Sequence, residues 1–151
     1  MTAAIRPSVW PAQGVGDQGA GFIGGAVVRR LLRDMCVQFF NFDKLGYASD
    51  LRGIEAELAR LGPAAAERHH LLKLDLADSE STAEAVRRAD PDLVLHLAAE
   101  SHVDRLIDGP GTFPSSSVTG TFSLLQAVRS NWEALSEERR ERFRFAAHQH
   151  R

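Results

Sequence analysis

Apolar positions along the chain switch between two periods. The apolar run Val37-Gln38-Phe39-Phe40-Asn41-Phe42 predicts a strand, and Leu93-Val94-Leu95-His96-Leu97 is a continuous apolar run, the pattern of a strand buried on both faces. His70–Leu74, ending at Asp75, predicts another short strand, and Phe143–Ala147 begins a last one. Between these runs the period lengthens. Ile23, Val27 and Leu31 recur every four residues and predict a helix from Ile23 to about Arg33. Leu51, Ile54, Leu58 and Leu61 predict a second helix, stopped at Gly62-Pro63. Ser81 and Glu84 have the spacing of a capping box for a helix running to about Ala89. A polar loop from Ala98 to about Pro114 precedes a helical face at Val118, Phe122, Leu125 and Val128, and the charged stretch 133–142 reads as a solvated helix. Strands alternating with helices predict an α/β fold: a doubly wound parallel sheet with right-handed crossovers.

The start of the chain breaks this pattern. A doubly wound sheet needs a central strand just ahead of its first helix. Pro11 lacks an amide donor there, and Gly14 and Gly16 disfavour a central strand. The expected organisation is therefore an atypical segment 1–18 with a degenerate first strand, a partial Rossmann-like domain 19–145, and an atypical tail 146–151. Poor stability of the isolated chain is expected to follow.

Composition narrows the function classes. At 151 residues the chain is one domain at most. A net charge of -2 gives no reason to expect a nucleic-acid partner or an anionic membrane. The single cysteine, Cys36, excludes an internal disulfide, fits a reducing cytoplasmic compartment and is expected to pack at the end of the first helix. No apolar run approaches the ~18 residues of a membrane span, and the N-terminus lacks a signal-peptide core.

The candidate chemistry begins at Gly19-Ala20-Gly21-Phe22-Ile23-Gly24, a glycine-rich turn opening a helix. Glycines let backbone amides approach a pyrophosphate, and the helix N-terminus adds positive potential. The acidic residue that such a site places about 20 positions further on is present as Asp43, after an apolar strand. The turn could instead merely shape a tight connection; turn, helix, strand and acid in this order favour a dinucleotide site. His69-His70 and His148/His150 lack cysteines or a helical ligand frame, so no metal site is expected. His96 is expected to pack in the sheet.

The stretch His96-Leu97-Ala98-Ala99-Glu100-Ser101-His102-Val103-Asp104-Arg105, continuing through Ile107-Asp108-Gly109-Pro110, closely resembles the dTDP-glucose 4,6-dehydratases. The glycine turn and Asp43-Lys44-Leu45 share the likeness, which covers about residues 19–145. These are NAD-dependent lyases of the extended short-chain dehydrogenase/reductase superfamily. The resemblance implies NAD as cofactor and a nucleotide sugar as substrate. It implies that Gly19, Gly21, Phe22, Ile23 and Gly24 lie at the pyrophosphate, and that Asp43, Lys44, Leu45 and Gly46 surround the adenosine ribose. Asp43 would accept hydrogen bonds from the ribose hydroxyls and repel a 2′-phosphate, favouring NAD over NADP. Asp75 and Leu76 match the pair that meets the adenine. Leu97, Ala98, Ala99, Glu100 and Ser101 match the segment along the cofactor, Ser101 also matches a substrate contact, and Ser116 stands where the family has threonine.

The departures are equally specific. Gln18 replaces the first glycine of the fingerprint, and Ser117 replaces the family's asparagine. The family's Thr-Asp-Glu segment is expected after the last strand, where Ala146-Ala147-His148-Gln149-His150-Arg151 stands. The only tyrosine, Tyr47, does not begin the family's Tyr-x-x-x-Lys pair. The implied function is a truncated dehydratase converting dTDP-glucose to dTDP-4-keto-6-deoxyglucose plus water, inactive alone and with no catalytic residue assigned. A non-catalytic NAD-binding module and an unstable product of a frame-shifted gene are the alternatives, and the family's homodimer is left open. Read one base forward, codons for Gln13–Gln18 can spell Lys/Arg-Val-Leu-Val-Thr-Lys/Arg. Codons for Ala146–Arg151 shifted alike can spell x-His-Ile-Ser-Thr and begin Asp, which is the family segment expected there.

Overall fold

A computed structural model describes residues 11–46, 49–97 and 113–148, with side chains in the last stretch from Val118 onward. The elements are β1 (Gln13–Asp17), α1 (Phe22–Asp34), β2 (Gln38–Asp43), α2 (Arg52–Leu61), α3 (Pro63–Ala66), β3 (His69–Lys73), α4 (Ser79–Ala89), β4 (Leu93–His96), α5 (Phe113–Ala134), α6 (Glu137–Arg142) and β5 (Arg144–Ala147). The strands form a five-stranded sheet in the order β3-β2-β1-β4-β5, and every pairing is parallel. This is the expected doubly wound architecture. The strand order reverses beside β1, so β1 and β4 flank the crevice in which such folds take their ligands.

Two apolar cores cover the sheet. Val28, Leu32, Val37, Phe39 and Ile54 form one, with α1 and α2 supplying the helical side. Val15, Phe42, Val86, Ala89, Val94, Leu124 and Val128 form the other, beneath α4 and α5. Alternation along each strand sends Phe39 to the first core and Phe42 to the second.

The degenerate first strand nevertheless takes its place in the sheet. Gln13–Asp17 is a strand, and it is central, paired to β2 on one side and to β4 on the other. The glycines are accommodated by a large neighbour. Phe39 of β2, 0% exposed, lies across the side of β1 from which Gly14 and Gly16 lack side chains. A Cβ at Gly16 would stand 2.6 Å from Phe39 Cζ, and one at Gly14 would stand 3.2 Å from its Cδ2. The ring supplies the packing that β1's own side chains would otherwise give. Val15, on the opposite face, is 1% exposed.

Smaller expectations also shift. The buried stripe of α1 is Gly24, Gly25, Val28 and Leu32, whereas Ile23 is exposed and Val27 and Leu31 are half-buried. Gly24 and Gly25 lie against the backbone of the turn at Gln18 and Gly19, and the buried stripe falls about one position on from the expected one. On α5, Val118 (68%), Phe122 (59%) and Leu125 (46%) face outward, and Leu124, Ala127 and Val128 pack inward against α4. The cap of α4 is Asp78, not Ser81: its carboxylate accepts from Ser81 N at 3.1 Å and from Ser81 Oγ at 2.7 Å. Those bonds hold Asp78 below its ordinary carboxylate pKa. Cys36 is exposed rather than packed, because the chain has already left α1 and is entering β2. Gly62 ends α2 as expected, but Pro63 starts the short α3, its fixed φ suiting a first helical turn. The charged stretch 133–142 breaks at buried Leu135 and restarts as α6 under a Ser136 cap.

Candidate functional site

The site is built where β1 turns into α1, beside the end of β2. Gln18 leaves β1 with φ 49°, a left-handed conformation that a side chain disfavours. Its amide donates to Phe42 O (2.9 Å) and its carbonyl accepts from Gly21 N (2.9 Å), closing the turn. Two of the turn's glycines are sterically required. A Cβ at Gly24 would stand 2.0 Å from Gln18 O, and one at Gly19 would stand 2.1 Å from Asn41 Oδ1. Gly21 is the N-cap of α1 and brings no capping side chain, so the first-turn amides of Phe22 and Ile23 have no side-chain acceptor at the cap. Phe22 is 96% exposed at this edge. An uncapped helix start of this kind suits an anionic group.

Two polar residues of β2 hold the turn from below. Gly19 N donates to Asn41 Oδ1 at 3.0 Å, and Ala20 N donates to Asp43 Oδ2 at 3.0 Å. Both side chains are buried. Asn41 Nδ2, also buried, has no hydrogen-bond partner among the described residues. Asp43 Oδ1 accepts from Leu45 N (2.7 Å) and Ser49 Oγ (3.3 Å), and Asp50 N donates to Ala20 O (2.8 Å). The sequence pattern places Asp43 beside the turn, and the structure brings Gly19, Gly21, Phe22, Ile23, Gly24, Asp43 and Leu45 together. Lys44 and Gly46 follow directly and are exposed.

A second cluster lies across the crevice, at the ends of β1 and β4. Buried Asp17 pairs through Oδ2 with His96 Nδ1, and its Oδ1 accepts from Leu97 N at 2.5 Å. A carboxylate accepts only, so His96 Nδ1 carries the proton in this pair. His96 Nε2 meets Thr121 Oγ1 of α5 at 3.0 Å. His96 thus packs in the sheet as expected, but as the middle of an Asp17–His96–Thr121 chain. Sequence reading missed this chain, and it missed Asn41 as a turn clamp. The available signal was a polar residue at the end or middle of an apolar run, which needs a buried partner.

Asp75 and Leu76 lie after β3. Asp75 Oδ1 accepts from Ala77 N (2.9 Å), and Leu76 O accepts from Thr82 Oγ1 (3.2 Å). Leu76 also meets α5, where a Cβ at Gly120 would stand 3.2 Å from its own Cβ. Ala98, Ala99, Glu100 and Ser101 lie outside the described residues, as does Tyr47, and Ser116 is described only as backbone within α5. Among the described residues, no group of three or more His, Cys, Asp or Glu side chains could hold a metal ion. No described helix is long and apolar enough to cross a membrane.

The profile of the GDP-mannose 4,6 dehydratase family matches residues 18–147. The dTDP-glucose 4,6-dehydratase of Salmonella typhimurium is 39% identical over 127 residues, which are 84% of this chain and 34% of that protein. The dTDP-glucose 4,6-dehydratase 1 of Escherichia coli K12 is 42% identical over 127 residues, with the same coverage of 84% and 34%. The chain therefore spans about a third of the length of these relatives. Among solved structures, a dTDP-glucose 4,6-dehydratase double mutant from Streptomyces venezuelae, with NAD and DAU bound, superposes with a TM-score of 0.64 at 34% identity, over 79% of this chain and 36% of that one. By the profile match over nearly its whole length, the chain belongs to the GDP-mannose 4,6 dehydratase family.

Proposed function

We propose that this chain is the NAD-binding part of a dTDP-glucose 4,6-dehydratase-type lyase of nucleotide-sugar metabolism, working in the cytoplasm. The observation that carries the reading is the Asp43 carboxylate fixed to the glycine turn at the open start of α1. The donor set fits the cofactor: amides at a helix N-terminus suit a pyrophosphate, and a carboxylate at the end of β2 suits a ribose diol. Its negative charge disfavours a 2′-phosphate, so NAD is preferred to NADP. When bound, NAD supplies a hydride acceptor and donor to the sugar. The residues that would hold it are Phe22 and Ile23 for the phosphates, Asp43 to Gly46 for the ribose, Asp75 and Leu76 for the adenine, and Leu97 to Ser101 with Ser116 for the rest of the cofactor, Ser101 also serving as a substrate contact. The relatives' names support the nucleotide-sugar substrate. The sequence holds one tyrosine, Tyr47, followed four residues on by Leu51, so it contains no tyrosine–lysine pair of the family's spacing. Turnover is therefore expected only when other polypeptide supplies those groups.

That single-tyrosine observation also favours a second reading, a non-catalytic NAD-binding module. Isothermal titration of the chain with NAD and NADP tests the shared core of both readings. NAD binding that is tighter than NADP binding is expected; the reverse order removes the Asp43 argument. Assay of dTDP-glucose turnover, with and without the C-terminal two-thirds of a relative added, separates the readings. Complemented turnover supports the lyase, and NAD binding without it supports the module.

A further inference from the structure

The Asp43 carboxylate is largely occupied by the chain's own donors. An ionised carboxylate offers about four acceptor positions. Oδ2 accepts from Ala20 N at 3.0 Å, and Oδ1 accepts from Leu45 N at 2.7 Å and from Ser49 Oγ at 3.3 Å. That leaves about one position, while a ribose diol presents two adjacent hydroxyl donors. The donors already present are not equal. Two are backbone amides, one in the glycine turn and one at the exit of β2. Among the described residues Ser49 is the one side-chain donor; its hydroxyl can rotate, and its bond is the longest. The backbone carrying it is anchored on both sides, by Ser49 N to Gly46 O at 3.0 Å and by Asp50 N to Ala20 O at 2.8 Å. The hydroxyl is thus held against Asp43.

We propose that Ser49 is a specificity-determining residue for the adenosine ribose: its hydroxyl fills on Asp43 Oδ1 the acceptor position that a ribose hydroxyl takes, and it rotates away when a diol binds. The proposal rests on the dinucleotide-binding reading above and adds to it a residue that neither the glycine fingerprint nor the Asp43 spacing marks. Removing the competitor strengthens diol binding, and only diol binding.

Isothermal titration of the full chain and its Ser49→Ala and Ser49→Thr variants with NAD, ADP and 2′,3′-dideoxy-ADP tests it. Ser49→Ala is expected to tighten NAD and ADP by about threefold to tenfold, the range for one net hydrogen bond. It is expected to leave dideoxy-ADP unchanged, because that ligand has no diol. Ser49→Thr keeps the hydroxyl and is expected to bind like the parent chain. The proposal is overturned if Ser49→Ala leaves NAD and ADP affinity unchanged or weakens it, or if it tightens all three ligands alike, which would mean that the change only opens space. NAD binding with no effect of Ser49 overturns this proposal alone. No binding of NAD or ADP to any variant overturns it together with the dinucleotide reading.

Discussion

Replacing Gly16 by valine tests why a glycine-rich segment can be the central strand. The new Cβ would stand 2.6 Å from Phe39 Cζ, a distance that real Cβ atoms do not keep, and Phe39 is 0% exposed with no open side to move toward. Overpacking of this kind costs about 1–3 kcal/mol. Part of it is offset, because a glycine in a strand interior is itself unfavourable by about 0.5–1 kcal/mol. Gly16→Val alone is therefore expected to destabilise by about 1–2 kcal/mol. Phe39→Val alone removes most of a buried ring beside two residues that have no side chain to fill the space. It is expected to cost about 2–3 kcal/mol, below the range for complete truncation to alanine. The double variant exchanges large-against-small for two valines of matched volume. Its stability is expected to lie within about 1 kcal/mol of the parent, a coupling of at least about 2 kcal/mol between the sites. Urea unfolding of the four proteins, followed by far-ultraviolet circular dichroism, measures the cycle. Losses that add within about 0.5 kcal/mol would refute the packing argument.

Three further outcomes are expected. Gln18→Gly relieves a side chain at φ 49°, a strain of about 1 kcal/mol, partly offset by the freer unfolded chain, so the melting temperature should rise by roughly 1–4 °C; no rise would show that Gln18 is not strained. Arg139 ties the lower edge of the sheet together, reaching Asp90 Oδ2 at 2.7 Å and Asp92 Oδ1 at 2.9 Å, while Asp92 Oδ2 accepts from Ala12 N and Gln13 N at 3.2 Å. Arg139→Met should cost about 1–2 kcal/mol, as this cluster is only partly exposed, and a loss of a few tenths in urea unfolding would count against the tie. Hydrogen bonds from Arg60 and then Arg33 hold Glu57 down from its ordinary 4.5 to about 2. Its folded pKa is below its unfolded one, so its contribution is complete above about pH 4.5 and is lost as pH falls through about 2. The urea midpoint should fall less steeply over that window in Glu57→Gln than in the parent, and equal slopes would refute the assignment.

Much of the fold was legible because it depends on local periods. The apolar run Val37–Phe42 covers β2 up to its last residue, Asp43, the run Leu93–Leu97 contains β4, and the three- and four-residue spacing along α2 marks a helix stopped at Gly62. The glycine turn followed by Asp43 is legible for the same reason: a short stretch of chain fixes both, and strand length sets where the acid falls. What one segment demands of another was not legible. Gly14 and Gly16 look unfit for a central strand until Phe39 of β2 is laid across them, and that contact exists only once β1 and β2 pair in register. Val118, Phe122 and Leu125 have helical spacing, but spacing cannot say which face meets α4; the packing of Leu124 and Val128 decides it. Asp17, His96 and Thr121 come from three separate elements and become a hydrogen-bonded chain only where β1, β4 and α5 converge. The number of donors on Asp43 is likewise a tertiary property. The sequence marks the carboxylate, but the return of the chain at Ser49 and the closeness of Ala20 determine how much of it remains for a ligand. Periodicity and motif spacing follow from local backbone geometry, whereas complementarity between distant side chains exists only in the packed molecule.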